Sequence, residues 1–176
     1  YPQAPLPSLM QALSLQGRDT LVLRPRGVWS AALPDLHANG CRIETRTHEF
    51  VNQDTFDRLL WSSDLNIVRG EDSLVRATWA GRAMIWQPYI QQDDTHLDKL
   101  DAWLARAPWP EDIREAILAW NRGTADAALS TLTTLLAPTR LQQWQALAHD
   151  WCARQTQEKD LADRLLDFCA KNSQTG

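Results

Sequence analysis

A short run in the first half of the chain, Arg69-Gly70-Glu71-Asp72-Ser73, carries the residue types that hold a phosphate. The stretch before it, 64–69, reads as a short buried strand, and 71–80 has helical spacing. Gly70 lets the backbone come close to a ligand. The free N–H groups of the first helical turn, at the positive end of the helix dipole, favour an anion. Ser73 adds a hydroxyl donor, and Arg69 can neutralise a diphosphate charge. Glu71 and Asp72 would each repel that charge. The expectation is therefore that Asp72 engages Arg69 or caps the helix, and that Glu71 faces sugar hydroxyls. Without a ligand the same run reads as an N-capped helix with a local ion pair, and the residues alone leave both readings open.

A second group, Phe50, Gln53 and Phe56, falls at a strand end and in the first turn of the next helix. Two aromatic rings flanking an amide can sandwich a base and read its edge through hydrogen bonds. Phe56 taken alone reads first as a core residue. Tyr89, after a further strand, lies on the same predicted rim, within reach of a phosphate. Other chemistries are poorly represented. His37, His48, His96 and His149 lack metal-ligand spacing, and neither a Walker A loop nor GxGxxG occurs. No Ser or Cys sits in a nucleophile elbow.

These residues need strands to carry them and helices to brace them. The pattern predicts a helix over 7–15, strands over 20–23 and 41–47, a helix over 53–62 capped by Asn52, a strand over 64–69, a helix over 71–80 and a strand over 83–86. The polar and apolar alternation of 41–47 places that strand near a sheet edge. Alternating strands and helices with short connections predict one α/β domain, Rossmann-like, with a parallel sheet of about four to six strands. In such sheets ligands bind beyond the carboxyl ends of the strands, where the phosphate-type run falls. The second half reads as helices over 93–106, 110–120, 124–136, 139–155 and 158–171.

The chain's 176 residues suit one domain, over the whole of 1–176. Net charge is −4, which argues against duplex nucleic acid as a main partner. Residues 1–90 carry 9 basic and 9 acidic side chains, and 91–176 carry 9 and 13, so the acidic excess lies in the second half. No apolar run approaches the length of a membrane span. Three dispersed cysteines, Cys41, Cys152 and Cys169, point to a reducing, cytoplasmic setting rather than a disulfide framework. The nine Trp recur at helical spacing and are expected mostly in the core. The start, YPQAPLPSL, has neither Met nor a secretory pattern, which suggests part of a longer protein.

The block LLWSSDLNIVRGEDSLVRATWAGRAMIWQPYIQQDDTHLDKL, residues 59–100, closely resembles the signature region of the bacterial protein-arginine rhamnosyltransferases. A looser likeness runs from Tyr1 through the helices, covering only the C-terminal half of the family enzyme. The resemblance implies the nucleotide-sugar-binding half of a GT-B glycosyltransferase. Its donor would be TDP-β-L-rhamnose, it would need no metal cofactor, and the acceptor would be an arginine of translation elongation factor P. It also implies site residues: Phe50 and Phe56 for the thymine, Gln53 for the base or nucleotide, and Arg69, Asp72, Ser73 and Tyr89 for the donor. Glu71 matches a glutamate needed for activity, and Tyr1 another tyrosine of the site. In the family the acceptor and catalytic aspartates belong to the N-terminal domain, so this chain alone is expected to bind donor without transferring sugar. Two rival readings are another nucleotide-sugar transferase of the same fold and a non-enzymatic protein-interaction module built on the Trp-rich helices.

Overall fold

The computed structural model describes residues 4–27, 36–157 and 159–173. Helix α1 (Leu6–Leu15) begins with a proline in its first turn and buries Leu6, Leu9, Met10 and Ala12. Its end leads into β1 (Thr20–Pro25), which pairs in parallel with β3 (Cys41–His48), from Thr20 opposite Ile43 to Pro25 opposite His48. Between them in sequence lies β2 (Leu36–Ala38), antiparallel to β3. The two-residue turn Asn39-Gly40 joins β2 to β3 with both φ angles positive, at 52° and 75°. Such backbone twist suits a tight hairpin, and Asn and Gly tolerate it best.

Helix α2 (Gln53–Ser62) starts as expected, with Asn52 Oδ1 accepting from the Thr55 N–H at 2.9 Å. Strand β4 (Leu65–Val68), helix α3 (Glu71–Ala80) and strand β5 (Ala83–Trp86) then form a parallel βαβ unit. All four residues of β5 are buried, as befits a strand covered on both faces. Gly81 closes α3 at φ 62°, and an added Cβ there would lie 3.5 Å from His149 Cα and Cys152 Cβ. Those are ordinary contacts, so glycine is favoured there by the left-handed turn rather than by the approach of a later helix.

The architecture departs from the expected single sheet. Strand order is β1-β3-β2 in one sheet and β4-β5 in another, so five short strands form two sheets and only β1–β3 and β4–β5 are parallel pairs. Strand β3 is central rather than at an edge, because the hairpin supplies β2 on its outer side. One edge of β1 and one of β4 stay without a strand partner, and a cleft runs along them.

The helical half packs against β5. Its elements are α4 (Thr95–Leu104), α5 (Glu111–Arg122), α6 (Ala125–Leu135), α7 (Pro138–Thr156) and α8 (Leu161–Ser173). Helix α4 begins at Thr95 instead of 93, since Asp93 and Asp94 both adopt positive φ in a tight 3-10 turn. Trp120 and Trp144 are fully buried beside Ile113, Ile117, Leu132 and Leu135. Trp86, Trp103, Trp109 and Trp151 meet largely edge to face, with centroids 5.2 to 6.3 Å apart. The tryptophans are therefore largely core, except that Trp61 and Trp79 are half exposed and Trp29 lies outside the described residues. Ser8 Oγ donates to the Ala125 carbonyl, tying α1 to α6.

Asp112 in the first turn of α5 takes a two-pronged hydrogen bond from Arg140 of α7, at 2.7 Å on each oxygen. The Arg140 guanidinium holds its carboxyl below the usual carboxylate range, against the opposing effect of desolvation. A lowered folded-state pKa means stability present at neutral pH and lost as pH falls through that lowered value. Asp112→Asn is expected to cost about 1 kcal/mol or less at pH 7, given the solvent screening of a partly exposed pair. Denaturant melts should show the gap to the parent closing as pH falls below about 4.

Candidate functional site

The cleft along β1 and β4 has a volume of about 990 Å³ and reaches the carboxyl ends of both strands. Phe50, Gln53 and Phe56, together with Arg69, Gly70, Asp72, Ser73 and Tyr89, are among its lining residues. Seven of the nine candidate side chains thus share one cavity. Glu71 is not among its lining, and Tyr1 lies outside the described residues.

The phosphate-type turn is held from below. The Val68 carbonyl accepts from the Gln87 N–H at 2.9 Å, and the Arg69 carbonyl accepts from the Trp86 indole N–H at 2.8 Å. With its backbone pinned to β5, Arg69 sends its guanidinium over the Tyr89 ring, 4.4 Å from the centroid. Such cation–π contacts at exposed sites contribute about 0.5–1 kcal/mol and orient the cation. Gly70 is the N-cap of α3, with φ −69° and no side-chain cap, so the first-turn N–H groups have no capping side chain. Ser73 is half-buried one turn further on.

Asp72 finds a partner other than those expected. Asp72 neither engages Arg69 nor caps the helix; its Oδ2 accepts from Arg76 Nε at 3.0 Å, four residues along α3. The same arginine donates through Nη1 to both oxygens of Asp57 on α2, at 3.1 and 2.9 Å. These hydrogen bonds, to Asp57 first and then to Asp72, push the Arg76 pKa further up. Glu71 lies 3.6 Å from Lys99 Nζ of α4. Arg76 was legible as an i,i+4 partner of Asp72. Its bond to Asp57, 19 residues away, and the roles of Trp86 and Lys99 had no local signal.

Phe50 is 80% exposed, and Phe56 is half-buried, packed against the core and lining the cleft at once. Among the described residues no group of three or more His, Cys, Asp and Glu could hold a metal ion. No helix of the described residues is long and apolar enough to cross a membrane. Burial pushes the Cys152 thiol pKa up, which leaves it poorly suited as a nucleophile.

Comparison with known proteins gives one family. Residues 1–170 match the model of the elongation factor P (EF-P) rhamnosyltransferase EarP. The chain is 37% identical over 188 residues to the protein-arginine rhamnosyltransferase of Pseudomonas aeruginosa, covering 97% of this chain and 48% of the relative. It is 41% identical over 127 residues to that of Shewanella oneidensis, covering 69% of this chain and 32% of the relative. A solved structure concerned with EarP-mediated arginine glycosylation of translation elongation factor EF-P superposes with a TM-score of 0.66 at 32% identity, over 94% of this chain and 56% of that one. The chain spans about half the length of the curated relatives it matches.

Position 70 separates folding from ligand approach. A Cβ on Gly70 would meet only Tyr89 Cε2 at 3.8 Å and Ser73 Oγ and Tyr89 Oη at 4.0 Å, ordinary contacts within the protein. Gly70→Ala is expected to leave stability within about 1 kcal/mol of the parent, since lost N-cap preference and reduced chain entropy oppose each other. Calorimetric titration with TDP should nonetheless weaken, because the added methyl projects where a phosphate would meet the backbone. Full TDP affinity in a normally melting Gly70→Ala would place the anion elsewhere.

Proposed function

The chain belongs to the EF-P rhamnosyltransferase family, and on that premise we propose that it forms the donor-binding half of an inverting arginine rhamnosyltransferase of the GT-B type. TDP-β-L-rhamnose would be the donor and elongation factor P the acceptor of the whole cytoplasmic enzyme. The observation that supports the reading is that two sets of recognition residues line one cleft, Phe50, Gln53 and Phe56 on the β3–α2 segment and Arg69, Gly70 and Ser73 on the β4–α3 turn. Their chemistry suits a nucleoside at one end and a diphosphate at the other.

In this mechanism the thymine lies between Phe50 and Phe56 and offers its polar edge to Gln53. The diphosphate meets Arg69, Ser73 and the free N–H groups of α3. A guanidinium nitrogen of the acceptor attacks the anomeric carbon, the bond from that carbon to the diphosphate oxygen breaks, and TDP carries off the electron pair. Arg69, steadied by Tyr89, stabilises the charge developing on that oxygen, the task for which pre-oriented donors are most effective. This assigns the charge neutralisation to side chains and helix N–H groups, with no metal cofactor. Glu71, on the outer side of the first turn, is assigned to the sugar, and the acceptor and its base to the remaining half of the family enzyme. Asp72 contributes through Arg76 rather than by touching the phosphates.

Arg69→Ala is expected to weaken TDP and TDP-rhamnose alike by about 1.5–3 kcal/mol, the range for hydrogen bonds to charged groups. Isothermal titration checks this, and unchanged affinity would remove Arg69 from the site. The aromatic residues should behave differently. Phe50→Ala should lose about 1–3 kcal/mol of TDP affinity, the scale of base stacking, with inorganic diphosphate affinity and melting temperature unchanged. Phe56→Ala should lose TDP affinity and also melt earlier, because its ring packs on the core.

A further inference from the structure

Arg76 stands outside the residues proposed to touch donor, yet its side chain lines the cleft and ties α3 to Asp57 of α2. Its guanidinium is only 24% exposed and lies against the Asp57 carboxylate, itself 26% exposed, while its Nε holds Asp72. Asp57 follows Phe56 directly and is one helical turn from Gln53, so the anchored segment of α2 is the segment that bears the base-facing residues. At the other end Arg76 sits one turn beyond Ser73, on the helix that begins at Gly70. The remaining ties between these elements lie away from the mouth: Asn66 Nδ2 donates to the Leu60 carbonyl near the end of α2, and Arg82 Nε to the Trp61 carbonyl.

We propose that Arg76, holding Asp57 through Nη1 and Asp72 through Nε, is a positioning residue that sets the distance between the base-facing residues of α2 and the phosphate turn. A nucleoside diphosphate must satisfy both sets of residues at once, so its affinity depends on that spacing. Inorganic diphosphate uses only the turn and does not sense it. A planar guanidinium suits the task better than an ammonium, because its fork fixes direction as well as separation. Pre-setting the gap spares the ligand the cost of ordering α2 on binding. The bond to Asp72 serves the same end, neutralising an acid that would otherwise repel the phosphates.

The inference rests on the reading of the cleft as a donor site, and its test separates the two. Asp57→Asn and Arg76→Lys both keep a cation beside Asp72; the first takes the charge out of the bond between the helices, and the second removes the fixed angle at which one guanidinium holds both acids. Each is expected to weaken TDP about tenfold, with inorganic diphosphate held within about twofold, the loss of one charge-assisted contact's worth of organisation. Hydrogen exchange on the ligand-free chain should show faster exchange in residues 53–62 of both variants, with the β4–β5 amides unchanged. Equal losses for the two ligands, or unchanged exchange in 53–62, would overturn the proposal. If the parent chain binds neither ligand, the donor-site reading fails, and the exchange data still decide whether Arg76 holds α2. Should one variant fail to fold, the other carries the same comparison.

Discussion

Trp86 is the residue through which the helical half reaches the turn at Arg69, whose carbonyl accepts from its indole N–H. Trp86 ends β5, and its ring abuts Trp103, which in turn touches Trp109 and Trp151. Its carbonyl accepts from Asn121 Nδ2 of α5 at 2.9 Å. A buried residue thus receives support from α4, α5 and α7 and passes it to one backbone atom at the rim of the cleft. Aromatic edge-to-face packing is directional, so this cluster restrains position as well as contributing buried area. The helical half therefore does more than cover the sheet: it steadies the turn on which the proposed diphosphate site depends.

Much of this arrangement could be read from local patterns. Asn52 at the start of α2, Gly81 past the end of α3 and the apolar run of β5 each impose their structure within a few residues, and each element lies where those residues put it. The failures are equally physical. Strand β2 has three residues, too few for alternation to show, although Asn39-Gly40 was a usable hairpin signal. Whether strands join into one sheet depends on lateral hydrogen bonding, which leaves no trace in the sequence of either strand. The expected sheet of four to six strands therefore became two smaller ones, with the cleft along the edges left open.

The candidate site divides in the same way. Glycine before a helix, with an arginine before it and a serine after it, is a local pattern, and those residues do line the cleft. The destinations of the charges were not local. Arg69 turned to Tyr89, 20 positions on, and Asp72 to Arg76, which in turn reached Asp57. Charged side chains choose among neighbours that only the tertiary fold supplies, and exposed pairs differ from one another by too little for sequence spacing to decide.

Two acids at the mouth of an anion site need explaining, and their pairing supplies the explanation. Arg76 answers Asp72 and Asp57 together, and Lys99 answers Glu71, so each carboxylate near the first turn of α3 has a cation against it. The Arg69 guanidinium lies over the Tyr89 ring. That guanidinium and the first-turn N–H groups of α3, which have no capping side chain, bring positive charge and the positive dipole end to the same part of the cleft. That distribution concentrates attraction on a small patch of the cleft rather than spreading it over the surface. A cleft built this way would favour an anion of defined position over anions in general, as the proposed donor-binding role requires of a ligand whose leaving group is its charged part.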